Sequence, residues 1–97
     1  MNKIFKYKLD FINPLATDVG FVYSKISVPF CHEILKADFQ NSEIHVWIVF
    51  DVKHENTLKE ITFLLAATGW EFDNHKNLKH IDTIFNGKNV WHIFKQG

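Results

Sequence analysis

Along much of this chain, hydrophobic and polar residues alternate with a period of two, the spacing of strands buried on one face. The pattern is sharpest in "IHVWIVFD", where Ile44, Val46, Ile48 and Phe50 share one face and His45, Trp47, Val49 and Asp51 the other. The first set predicts core. The preceding "EILKADFQ" (33–40) and the turn-like "NSE" predict the other arm of a hairpin. "IFKYKL" (Ile4 to Leu9) and "SKISV" before Pro29 predict two further short strands. Between them "DFINPLATDVGFVY", with Asn13-Pro14 and Gly20, reads as a long loop.

The second half is less uniform. "VKHENTLKE" is the most polar connector, and "ITFLLAATGW" after it fits two templates. Thr57 and Glu60 have capping-box spacing, and Leu58, Ile61, Leu64 and Leu65 have helical spacing, so a short helix at 57–67 is one reading. Alternation of Ile61, Phe63, Leu65 and Ala67 supports a strand almost equally. "WEFDNHKNLK" reads as loop, and "HIDTIF" with "NVWHIF" as a closing hairpin. Asn86-Gly87 is the dipeptide that favours a type I′ turn, which needs positive φ at both central residues. That loop would set Thr83 opposite Val90, Asp82 opposite Trp91, Ile81 opposite His92 and His80 opposite Ile93. One face then carries Ile81, Thr83, Val90, His92 and Phe94, and the other His80, Asp82, Ile84, Trp91 and Ile93. Both faces are mixed, as in a sheet covered on each side by its own chain or by another subunit, so a homo-oligomer is expected. The pattern predicts an all-β, mainly antiparallel single domain spanning 1–97, a barrel or sandwich of about six or seven short strands.

With 97 residues, 46% hydrophobic and 15% aromatic, the chain has the makings of one packed domain with little margin in its core. Eleven lysines balance eleven Asp plus Glu, so no basic field of the kind that attracts polymeric nucleic acid is present. Arginine is absent, and any anion must be held by lysine, hydroxyls or backbone N–H groups. The lone Cys31 forbids an intrachain disulfide, and "MNKIFKYKLDFINP" lacks a secretory h-region. No apolar run is long enough to cross a bilayer. A cytoplasmic protein without a membrane partner is the expectation.

Chemistry is sparse. The six histidines, at 32, 45, 54, 75, 80 and 92, include no H-x-x-x-H pair, and no metal site or other cofactor is expected. G-x-S-x-G, P-loop and G-x-G-x-x-G motifs are missing. His45-Val46-Trp47 and His92-Ile93-Phe94 lack the Ser/Thr of two-histidine phosphodiesterases. His80 and Asp82, two apart on one predicted face, form an acid–base candidate, but a surface strand pair next to Trp91 is the favoured reading. Trp91 and His92 read as packing residues on pattern alone. In "ATGW", Thr68 offers a hydroxyl, Gly69 lets a ligand approach the backbone and Trp70 offers a stacking face.

Taken in order, "IFKYKL", "EILKADFQNSEIHVWIVFD", "TGW" and "IDTIFNGKNVWHIF" resemble a family of small phage-encoded domains of unknown function. That family's pattern runs from a Lys-Tyr strand through an I-L-x-x-x-x-Q arm, a Trp-bearing strand and a Thr-Gly turn to a terminal V-W-H-x-F. The segment from Asp10 to Ser24 is longer than the family pattern. The resemblance implies a compact antiparallel fold and tips Ile61 to Thr68 toward strand. It also implies an anti-defence role: an oligomeric, non-enzymatic sponge that sequesters a cyclic dinucleotide immune signal in the host cytoplasm. The ligand-binding residues expected on this reading are Thr68, Gly69 and Trp70 for a pocket wall, Trp91 and His92 for base contacts, and Lys36 for phosphate. No catalytic residue is assigned. The alternative is a protein–protein interaction module, a host-protein inhibitor or phage assembly component, using exposed aromatics.

Overall fold

The computed structural model describes residues 1–11, 22–68, 78–87 and 89–97. Its regular elements are seven strands, β1 (Asn2–Lys8), β2 (Val22–Pro29), β3 (His32–Gln40), β4 (Glu43–Asp51), β5 (Leu58–Ala67), β6 (Leu78–Asn86) and β7 (Asn89–Gln96), with one 3₁₀ turn at Val52–His54. They form two antiparallel sheets, one ordered β1-β4-β3 and the other β2-β5-β7-β6. The arrangement is a sandwich, since the sheets do not close on each other as a barrel. Of the two expected loops, residues 12–21 and 70–77 lie outside the described residues, while the ends of both, Val22 and Tyr23 in one and Leu78 and Lys79 in the other, belong to strands.

Alternation decides most of the strands. On β4, Val46, Ile48 and Phe50 are buried and Ile44 packs against them, as the sequence pattern requires. In the ambiguous segment the strand reading holds: β5 sends Ile61, Phe63 and Leu65 into the core beside Val28 of β2 and Ile84 and Ile93 of the final hairpin. Helical spacing of Leu58, Ile61, Leu64 and Leu65 loses because β5 lies between two partners, β2 and β7, which satisfy its backbone groups along both edges. Asp51 ends β4 by accepting the Lys53 N–H at 3.0 Å, capping the 3₁₀ turn that carries the chain to the other sheet.

The hairpins correct one expectation. A loop with positive φ at both central residues joins β3 and β4, at Asn41 (φ 53°) and Ser42 (φ 65°). In the final hairpin Asn86 still pairs with Asn89, and Gly87 (φ 60°) is the first loop residue, so the turn lies one position later than expected. Thr83 therefore faces His92, Ile84 faces Trp91 and Asp82 faces Ile93. A second irregularity follows. The register shifts between His80 and Asp82, making Ile81 the extra residue of a bulge and setting His80 opposite Phe94. Ile81 packs against the core, not beside Thr83 and His92, while His80 joins the outer face, away from Asp82.

The two sheets meet at a seam where edge strands β3 and β6 approach. There the Asp82 carboxylate crosses from one sheet to the other, accepting the Ala37 N–H through Oδ2 at 3.2 Å and the Thr83 N–H through Oδ1 at 2.9 Å. Ala37 is buried, so the carboxylate satisfies an amide that an edge strand would otherwise leave orphaned.

Candidate functional site

Period-two alternation on β7 separates its residues sharply. Trp91 and Ile93 turn inward, Ile93 fully buried and Trp91 packed against the core, while Val90, His92 and Phe94 face outward. Outward-facing neighbours come from β5, where Leu64 pairs with Phe94 and Ala66 with His92, and from β6, where Thr83 pairs with His92 and Phe85 with Val90. Leu64 and Ala66 are buried although they lie outside the main core. Just past β5, Thr68 is held by its N–H bond to the Val90 carbonyl at 3.0 Å.

This placement produces a row of four hydrogen-bonded side chains. Thr68 Oγ1 lies 2.7 Å from His92 Nε2, His92 Nδ1 lies 3.1 Å from Thr83 Oγ1, and Thr83 Oγ1 lies 2.9 Å from His80 Nε2. The His80 ring sets its edge against Phe94 at a centroid separation of 5.5 Å. A neutral imidazole has one donor and one acceptor nitrogen, and a hydroxyl can both donate and accept, so the row can run with either polarity from end to end. In one polarity the Thr68 hydroxyl donates to Nε2, Nδ1–H donates to Thr83, and Thr83 donates to His80. In the other every bond reverses, and the Thr68 hydroxyl proton turns outward to whatever covers it. The row is thus a switchable donor–acceptor strip, flanked by Phe85, which is 69% exposed.

Beyond His80 the strip reaches the seam. There a cleft of about 250 Å³ opens between His32, Glu33 and Ile34 of β3 and Lys79, His80, Ile81 and Lys95 of the β6–β7 hairpin. His32 is fixed by its Nδ1 bond to the Pro29 carbonyl at 2.8 Å. Among the described residues no group of His, Cys, Asp or Glu is arranged to hold a metal ion, and no helix is long and apolar enough to cross a membrane.

The structure brings two of the sequence-derived candidates together and sets two others apart from them. Thr68 and His92 meet directly. Trp91 lies on the opposite, inward side of the sheet. Lys36 belongs to the other sheet, where its ammonium sits 5.5 Å from the Trp47 ring centroid and 3.3 Å from the Asp38 carboxylate. Gly69 and Trp70 lie outside the described residues. The His80–Asp82 pair is separated by the bulge, and both Asp82 oxygens are occupied by backbone amides. Sequence reasoning missed Thr83 as the partner of His92, and His80 beyond it, because a loop placed one residue early sets Ile81 against that histidine. The preference for glycine at a loop position of positive φ, which Gly87 fills as the first loop residue, was the available cue.

Compared with known families, residues 1–97 match one described as a domain of unknown function (DUF7352). No curated protein and no solved structure matches the chain.

Proposed function

Because the chain belongs to the DUF7352 family, whose description leaves function open, we propose from the site itself that it is a non-catalytic binding protein for a small nucleotide. The observation that carries this reading is the Thr68–His92–Thr83–His80 row, a strip of alternating hydroxyl and imidazole groups beside exposed Phe85. Such a strip matches the mixed donors and acceptors on the edges of a base or a ribose, and an aromatic ring beside it offers a stacking face. The specific ligand we propose is a cyclic dinucleotide, sequestered by a phage-type anti-defence protein acting as a homo-oligomer in the host cytoplasm. The terminal "VWHIF" block supports that assignment through its resemblance to small phage domains. Exposed Phe30, Leu58 and Phe85 supply apolar surface for subunit contact.

A second reading has its own observation. A threonine hydroxyl 2.7 Å from an imidazole nitrogen is the arrangement of a nucleophile and its base. Here the far nitrogen of His92 meets the neutral Thr83 hydroxyl, and among the described residues no carboxylate is bonded to the ring. Binding is therefore favoured over turnover.

One experiment separates the readings. The melting temperature is measured with a panel of cyclic dinucleotides, the complex is heated, and the released nucleotide is analysed by chromatography. Ligand at a hundredfold its Kd adds about 2.7 kcal/mol by linkage. We expect a clear rise with at least one cyclic dinucleotide and release of the intact molecule. His92→Ala and Thr68→Val should retain the fold and lose the rise. Altered nucleotide would establish the enzyme reading, and no rise with any nucleotide would turn the assignment to a protein partner.

A further inference from the structure

We propose that the cleft at the β3–β6 seam is an anion site that takes a phosphoryl group between Lys79 and Lys95. The proposal stands whether or not the outer face takes a nucleotide, since the two sites share only His80.

Lys79 and Lys95 are direct cross-strand partners on β6 and β7, and both line the cleft. Like charges directly opposite each other in a sheet repel. Three lysines elsewhere are paired with carboxylates: Lys3 faces Glu55 at 2.9 Å, Lys8 faces Asp10 at 3.3 Å and Glu43 at 3.4 Å, and Lys36 faces Asp38 at 3.3 Å. Among the described residues no carboxylate comes within 4 Å of either cleft ammonium. The nearest acid on the same strand, Asp82, is already engaged with the amides of Ala37 and Thr83 across the seam. Two lysines at paired strand positions, with no described carboxylate within 4 Å of either ammonium, line one concavity and make it a place for an anion to bind.

The remaining lining residues narrow the ligand. With His32 and His80 neutral, the cleft holds two positive charges against the single carboxylate of Glu33. Glu33 is an acceptor, which suits a phosphoryl group carrying a P–OH or a neighbouring hydroxyl better than a bare oxyanion. Because His32 Nδ1 is tied to the Pro29 carbonyl, its Nε2 is the nitrogen left for the cleft, a second donor whenever the ring is protonated. The volume of about 250 Å³ is below the ~300–1,000 Å³ of pockets that hold drug-sized ligands. It fits a phosphoryl group with its waters, not a whole nucleotide.

The test uses inorganic phosphate as probe on the full chain, comparing wild type with Lys79→Gln and Lys95→Gln by thermal melting at matched ionic strength in chloride. Phosphate also stabilises proteins by exclusion from their surface, so the readout is the difference between wild type and variants. We expect phosphate at low millimolar concentration to raise the wild-type melting temperature more than chloride does. Each variant should lose that excess while melting no lower than wild type in chloride, because the repulsion is relieved. His92→Ala should keep the phosphate response, which separates this site from the nucleotide strip. Equal phosphate responses in wild type and both lysine variants, or a wild-type response no larger than that to chloride, would overturn the proposal.

Discussion

Truncation of Asp82 to alanine is the sharpest test of the seam. The substitution removes two hydrogen bonds to a charged acceptor and strands the Ala37 amide, whose residue is only 1% exposed. A hydrogen bond to a charged group is worth ~1.5–3 kcal/mol and an orphaned buried donor costs ~1–3 kcal/mol. These costs overlap for the same amide, and the carboxylate is only partly buried, so a destabilisation of about 2 kcal/mol is expected. For a domain of this size each kcal/mol moves the melting temperature by ~4–8 °C, giving a fall of about 8–16 °C. Asp82→Asn keeps one acceptor oxygen but presents its NH₂ to the other amide, and should fall between wild type and alanine. Urea denaturation gives the free energies, and amide hydrogen exchange at Ala37 should accelerate in the alanine variant. An Asp82→Ala protein within ~0.5 kcal/mol of wild type, the range of an ordinary surface change, would refute the bridge.

Two further predictions probe the turns. At Gly87 an added Cβ would meet nothing within 4 Å, but φ is +60°, so Gly87→Ala should cost ~1–2 kcal/mol through backbone conformation alone; an unchanged urea midpoint would argue against this turn geometry. At Asp51 the Lys53 N–H bond holds the carboxyl below its usual pKa. A depressed folded pKa contributes stability above the unfolded value and loses it as pH falls through the folded one, so the gap between wild type and Asp51→Ala should be flat from ~6 to ~8 and close below ~4. A gap that stays constant into acid would remove the capping role.

How far the sequence carries differs between strand and register. Buried faces were legible wherever alternation was clean: Val46, Ile48 and Phe50 on β4 needed no tertiary information. Leu58 to Ala67 was not decidable, because its apolar positions satisfy both periods, and only pairing with β2 and β7 resolves them. In the final hairpin the turn was found but displaced by one residue, since Asn-Gly and a glycine-first loop share the same glycine. That single step hid the Thr83–His92 pairing and with it half of the strip. Lys79 and Lys95 were beyond reach altogether, as their pairing requires both the displaced turn and the bulge, and no residue type marks Ile81 as the inserted position.

The bulge at Ile81 links the fold to both sites. Simple alternation would put His80 on the face of Asp82; the inserted residue instead sends Ile81 to the core, leaves Asp82 reaching for Ala37 and turns His80 outward to Thr83. Edge strands need such irregularities to resist pairing with a neighbour, and β3, the edge facing β6, has its own register shift between Ile34 and Lys36. Two bulged edges cannot continue one ladder. The sheets are therefore joined at this seam by a carboxylate bridge and not zipped into a barrel, and the opening between them is the cleft lined by His32, Glu33, Lys79, His80 and Lys95. The irregularity that keeps the sandwich open is also what aims His80, and it places the end of the hydroxyl–imidazole strip at the mouth of the cationic cleft.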